Sequence, residues 1–145
     1  MYLVLTAMLA LNVSAAILNG YAQVDDSLHA TMETMDEANR DTYMQFKAAL
    51  DQNPEKVQSW YDKALEIKQS SDAFYKYVQD FKDEMVVQAD GKNAKKDARV
   101  REISKQDDTN VPQRYAINEG NALKLKGAIN DYREFMIKIT GESPA

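Results

Sequence analysis

The chain has 145 residues, a formal net charge of -5, three prolines, five glycines and no cysteine. That composition excludes disulfides, thiolate metal sites and a cysteine nucleophile, and so few turn-forming residues argue against a β-sandwich or barrel. The acidic balance argues against nucleic acid as a partner, because phosphate binding needs a basic face.

The first twenty-four residues, MYLVLTAMLALNVSAAILNGYAQV, carry no charged side chain. At about 1.5 Å per residue, a helix from Met1 to Gly20 spans roughly 30 Å, the hydrocarbon thickness of a bilayer. The reading is a single N-terminal transmembrane helix over residues 1–22, continuing into one helical domain over residues 23–145. The rival is a secretory signal peptide cleaved after Gly20-Tyr21-Ala22, although no Lys or Arg precedes Arg40 to form a basic n-region. Beyond the span, Asp25, Asp26, Glu33, Asp36, Glu37 and Asp41 outnumber Arg40, which places the body outside the cytoplasm. Two strings at four-residue spacing, Thr6-Ala10-Ser14 and Asn12-Ala16-Gly20, let helices approach closely and suggest a span enclosed by protein; a lone anchor is the alternative. The span holds no Asp, Glu, His, Lys or Arg, so in any proton-driven process a partner must hold the proton.

From Val24 to Leu50 a helix without Gly or Pro is expected, with Leu28, Met32, Met35, Phe46, Ala49 and Leu50 as its apolar positions and Asn39 and Thr42 weakening that stripe. Asp51-Gln52-Asn53-Pro54 ends it and starts the next helix, Asn53 serving as N-cap and Pro54 as first helical residue. A seven-residue repeat follows, Val57, Ala64, Ser71, Val78 and Met85 in one column and Trp60, Ile67, Phe74 and Phe81 in the other. These columns predict the seam of a bundle or coiled coil. Ala89-Asp90-Gly91 closes the helix with a glycine at C′. Lys92 to Gln113 reads as a long connection with a short helix around Asp97 to Ser104. Its cluster of Lys92, Lys95, Lys96, Arg99, Arg101 and Lys105 reads as solvated among interleaved acids, an anionic surface being the alternative. A last helix is expected from Asn121 to Ile139, with Leu125, Ala128, Ile129, Tyr132, Phe135, Met136 and Ile139 on one face, closed by Gly141 and Pro144. The fold class is all-α, with surface left over for a second copy.

No catalytic set is visible. His29, the sole histidine, has no Ser, Cys or ligand spacing near it and reads as a solvated surface residue. The five glycines are isolated, so no phosphate-cradling loop exists, and the carboxylates lie beside lysines on exposed faces with no reason for shifted pKa values. The chain reads as a non-enzyme with no cofactor or metal.

The blocks MYLVLTAMLALNVSAAILNG, NPEKVQSWYDKALEIK, the ADGK turn at Ala89 to Lys92 and INEGNALKLKGAINDYRE resemble the N-terminal part of the GldM/PorM family of Bacteroidetes. In that family one transmembrane helix leads into a helical first periplasmic domain, and the protein is a homodimer. The resemblance implies an inner-membrane motor, driven by the proton motive force, that powers type IX secretion and gliding motility. Its helix pair would sit within a ring of the polytopic partner GldL or PorL, whose intramembrane glutamate couples proton flow to movement. The periplasmic helices would transmit that movement toward outer-membrane secretion components through later β-rich domains, and family members carry a short basic cytoplasmic segment before the block that begins here at Met1. The family motif implies Tyr2 as a partner-facing residue, and the spacing adds Thr6, Ala10, Asn12 and Ser14 to the same interface. Val57, Trp60, Ile67, Phe74, Val78 and Phe81 form the expected helical seam. A membrane-tethered scaffold without energy transduction and a cleaved, secreted helical module are the alternatives.

Overall fold

The computed structural model describes residues 2–106, 108 and 110–141, and the side chains of residues 6–15 are not among those described. Helix α1 runs unbroken from Tyr2–Gln52, about 76 Å at the usual rise, and α2 returns over Pro54–Asp90. Two short 3-10 turns, Gly91–Asn93 and Val100–Glu102, punctuate the connection that follows. The one-turn helix α3, Asn110–Pro112, runs straight into a π-helical segment, Gln113–Asn118, and α4 spans Asn121–Thr140. All regular structure among the described residues is helical.

The continuity of α1 has a local cause. No proline interrupts it, and its polar β-hydroxyls are returned to the helix itself: Ser27, Thr31, Thr34 and Thr42 each donate to the carbonyl four residues back, at 2.8–3.0 Å. Those hydroxyls then make no competing demand for turn geometry. The single residue Asn53 separates α1 from α2. It occupies the N-cap position as expected, but its side chain makes no cap bond; Pro54, which lacks an N–H, leaves one donor fewer to satisfy. Gly91 ends α2 at φ 60°, ψ -123°, a backbone region closed to side-chain-bearing residues, so the glycine is obligatory there.

The α1–α2 pair is antiparallel, fixed by the Tyr43 hydroxyl donating to the Ala64 carbonyl at 3.0 Å; burial of the phenol pushes its pKa up. Equal steps along the two helices from that bond bring Gly91 level with Ala16, so the α1 residues before Ala16 project alone, by about 20 Å. Among the described residues no helix is long and apolar enough to cross a membrane. The centre of the expected span, including Thr6, Ala10, Asn12 and Ser14, lies outside the described side chains.

Helix α4 runs antiparallel to α2. The Tyr132 ring stacks on Phe74 at 4.6 Å between centroids and 4° between planes, and its hydroxyl shares a 2.8 Å hydrogen bond with Ser71. Below them Phe81 meets Tyr115 of the π-helical segment at 5.2 Å. In the expected seam Val57, Ile67, Phe74, Val78 and Phe81 are half-buried, whereas Trp60 is 63% exposed with the Lys63 ammonium 5.1 Å from its ring centre. The reason is reach: the left-handed Gly141 caps α4 about two turns past Tyr132, so the hairpin tip around Trp60 has only two helices. Residues 110–113, read as the end of the connection, are helical instead, as are 114–118, which the sequence reading assigned to no element, and the expected helix over Asp97 to Ser104 is reduced to the turn Val100–Glu102. Pro144 lies outside the described residues.

Removing the Ser71 partner by Tyr132→Phe is expected to cost about 1 kcal/mol, and Phe74→Ala about 2 kcal/mol because the site is half-buried. Urea unfolding followed by helical circular dichroism measures both. The two effects should be less than additive in the double variant, since Tyr132 contacts both residues.

Candidate functional site

The described residues that are buried are Ala22, Val86, Asp90, Ala98 and Val111, none of them completely. All five sit at one place, where the projecting helix enters the body. Ala22, at 3% exposure, comes from α1, Val86 and Asp90 from the end of α2, and Ala98 and Val111 from the connection. The connection is therefore a collar around the base of α1, rather than the solvated loop its mixed charges suggested.

Carboxylates from the middle of α1 and the last turns of α2 hold the collar. Asp25 accepts the Val100 backbone N–H at 3.1 Å and the Arg99 Nε at 3.4 Å; Asp26 accepts the Arg99 guanidinium at 3.1 Å and the Arg101 Nε at 2.8 Å. On α2, Asp90 accepts the Ser104 and Lys105 backbone N–H groups at 2.8 and 3.0 Å, and Asp83 accepts the N–H of Asp97 at 2.9 Å. Asp97 takes a left-handed backbone, φ 54°, which aspartate tolerates better than most residues. Within the collar, Glu102 accepts the Arg99 N–H and the Lys95 ammonium. Bonds to the charged form favour ionisation. The Arg101 guanidinium above all holds Asp26 below the usual range, the Ser104 N–H does so for Asp90, and the Arg99 N–H for Glu102. The expectation of unperturbed carboxylates is thus corrected. So is that of a solvated His29: its side chain is mostly covered and its Nε2 lies 3.8 Å from Asp25.

Among the anticipated interface residues, Tyr2 stands on the outer surface of α1, highly exposed, and Thr6, Ala10, Asn12 and Ser14 lie outside the described side chains. What the sequence reading missed is the collar clamp. The doublet Asp25-Asp26 and the Arg99-x-Arg101 pattern were its only trace, and more than seventy residues separate them.

The model of the GldM N-terminal domain matches residues 16–145. The chain belongs to the GldM family. No curated protein and no solved structure matches it. The GldM match begins at Ala16, which the α1–α2 register puts level with Gly91 at the end of α2, so the matched residues include the whole body that packs on α1. The GldM family is one of gliding-motility and type IX secretion components rather than of enzymes.

A lowered carboxylate pKa stabilises the native state above the unfolded-state value and ceases to do so as pH falls through the native value. With ordinary values of 3.8 for Asp and 4.5 for Glu, the collar is expected to hold at neutral pH and to detach progressively below about pH 4. NMR protection of the Ser104 and Lys105 amides reports this while the α2 signals persist. In Arg101→Gln the detachment should begin at higher pH, since the main influence on Asp26 is gone.

Proposed function

We propose that this chain is the inner-membrane shaft of a motor, driven by the proton motive force, that powers type IX secretion and gliding motility. In this reading residues 1–22 form a single transmembrane helix within a ring of GldL/PorL-type subunits. Residues 23–145 form a periplasmic domain that carries movement toward outer-membrane secretion components. The observation that carries the reading is the unbroken passage of α1 from an uncharged stretch into the body, with the five buried described residues gathered at the junction. A flexible linker at that point would dissipate torque, whereas a helix braced by a collar transmits it. Cleavage before Gln23, the secreted-module alternative, would remove Ala22 from the buried junction and is disfavoured for that reason. The lack of any acidic, basic or histidine residue before Asp25 supports a proton site on the partner.

A homodimer is supported by a second feature of α1. Ile17, Tyr21, Val24, Leu28, Met32 and Met35 are all exposed and follow one another at steps of three and four residues, so they fall on one face beside the surface that packs on α2. Gly20, Ser27 and Thr31 border that stripe; the two hydroxyls are spent on backbone carbonyls, which leaves a small, smooth surface for close helix approach. A second copy packed about α1 would cover this stripe without disturbing the collar.

Exchanging residues 1–16 for an unrelated apolar helix should preserve membrane insertion and abolish gliding and secretion; retained activity would establish the tethered-scaffold alternative instead. Ala30→Pro, on the exposed side of α1, removes a helical hydrogen bond at about 3 kcal/mol and should uncouple the motor without preventing assembly with its partner. Leu28→Glu, at a position 58% exposed in the single chain, should leave the monomer fold intact and lower the dimer fraction seen by native mass spectrometry at least tenfold.

A further inference from the structure

We propose that the underside of the collar is a binding site for the phosphate head groups of anionic phospholipids, with Lys92 and Lys105 as its contacts. The inference rests on the reading of α1 as a membrane span and adds a lipid class to it.

Depth comes first. The apolar run of α1 ends at Ile17 and Leu18, before Asn19, Gly20 and Tyr21, so the hydrocarbon boundary falls near Leu18. The antiparallel register anchored at Tyr43 and Ala64 puts Gly91 level with Ala16, and the Asp90 carboxylate holds Ser104 and Lys105 at its own height. Gly91 to Asn93 and Ser104 to Lys105 therefore form the floor of the body. They stand within the head-group layer, which is about 5–8 Å deep on each side of the bilayer.

Charge comes second. Residues 91–108 contain Lys92, Lys95, Lys96, Arg99, Arg101 and Lys105 against Asp97, Glu102, Asp107 and Asp108, a local excess of cations in a chain whose net charge is -5. The collar sorts these cations. Arg99 and Arg101 are used on Asp25 and Asp26, and Lys95 on Glu102. Lys92, Lys96 and Lys105 are exposed and form no side-chain ion pair or hydrogen bond with another described residue, although Lys105 lies in the field of Asp90. Asp90 is buried and turned onto two backbone N–H groups, and Asp108, whose N–H bonds to the Lys105 carbonyl, accepts the Asn110 N–H, so among the described residues of the floor Lys92 and Lys105 present the uncompensated side-chain charges. Lysine ammonium groups placed at phosphate depth on a body otherwise acidic select anionic over zwitterionic lipid, by about fivefold for each lysine engaged.

The absence of cysteine allows one labelling site to be added cleanly. The full chain carrying Asn93→Cys with a fluorophore is reconstituted into nanodiscs of phosphatidylcholine doped with quencher-bearing phosphatidylglycerol or quencher-bearing phosphatidylcholine. A second preparation carries the fluorophore at Leu5→Cys to report whether α1 is in the membrane. Quenching at position 93 is expected to favour phosphatidylglycerol by about fivefold or more. That preference should disappear in Lys92→Gln/Lys105→Gln, and invert in Lys92→Glu/Lys105→Glu, with helical circular dichroism unchanged. Equal quenching by the two lipids at position 93, or none there while position 5 is quenched, would overturn the lipid site and leave the membrane reading standing. An unquenched position 5 would overturn both. A lysine-dependent effect seen only when the polytopic partner is added in pure phosphatidylcholine would assign the floor to a protein contact and overturn the lipid site.

Discussion

The organisation of this chain depends on a meeting of opposite charges at one level of one helix. Asp25 and Asp26 are the first charged residues after the uncharged segment, and Arg99 and Arg101 come back to them from the far end of the connection. Exposed ion pairs contribute little each, but these are coupled to backbone bonds at Val100, Ser104 and Lys105, so the network fixes a whole segment rather than two side chains. Without it the connection would be a mixed-charge loop. With it, the connection becomes the third wall around Ala22, and the α1 base acquires the best-packed surroundings in the molecule.

The elements most legible in the sequence were those written in local chemistry. The Asn53-Pro54 break, the glycine stop at Gly91 and the face of α4 each need only neighbouring residues to be read. The family resemblance was likewise carried by contiguous blocks, and the domain match covers the body from Ala16 onward. The collar was illegible for a physical reason. Its carboxylates satisfy backbone N–H groups in a segment of almost no regular structure, and such bonds leave no periodicity. The π-helical segment was hidden similarly: its widened turn is supported by Tyr115 against Phe81, by Arg114 on Gln88 and by the Asn121 side chain on the Tyr115 carbonyl, all contacts between distant or irregular positions. Trp60 misled for the opposite reason. Its heptad position was clear, but a heptad says which residues share a face and not how far the partner helix extends.

The distribution of packing also bears on stiffness. Few of the described side chains are buried, and they cluster at the base; toward the tip the structure thins to the α1–α2 hairpin with apolar residues such as Met44 and Trp60 uncovered. A single copy of such a body is rigid where α1 enters it and less braced above. The exposed stripe from Ile17 to Met35 begins at the same level as the collar and rises through the less braced region. In the proposed dimer, a second α1 packed along it would add support where the single chain has least, a mechanical role beyond burial of apolar surface.

Under the proposed reading, these features divide the labour of a shaft among distinct residue types. The uncharged segment cannot hold a proton, so chemistry is left to the partner and the helix is free to be moved as a rigid body. The carboxylate and arginine clamp converts that movement into movement of α2 and, through the aromatic contacts of Phe74 and Phe81, of α4 and the π-helical segment. Because Tyr132 joins Ser71 and Phe74 in one contact, α4 cannot slide along α2 without breaking a stack and a hydrogen bond together. Displacement at the base is then passed on as movement of the whole body in one piece, which leaves every one of these contacts intact.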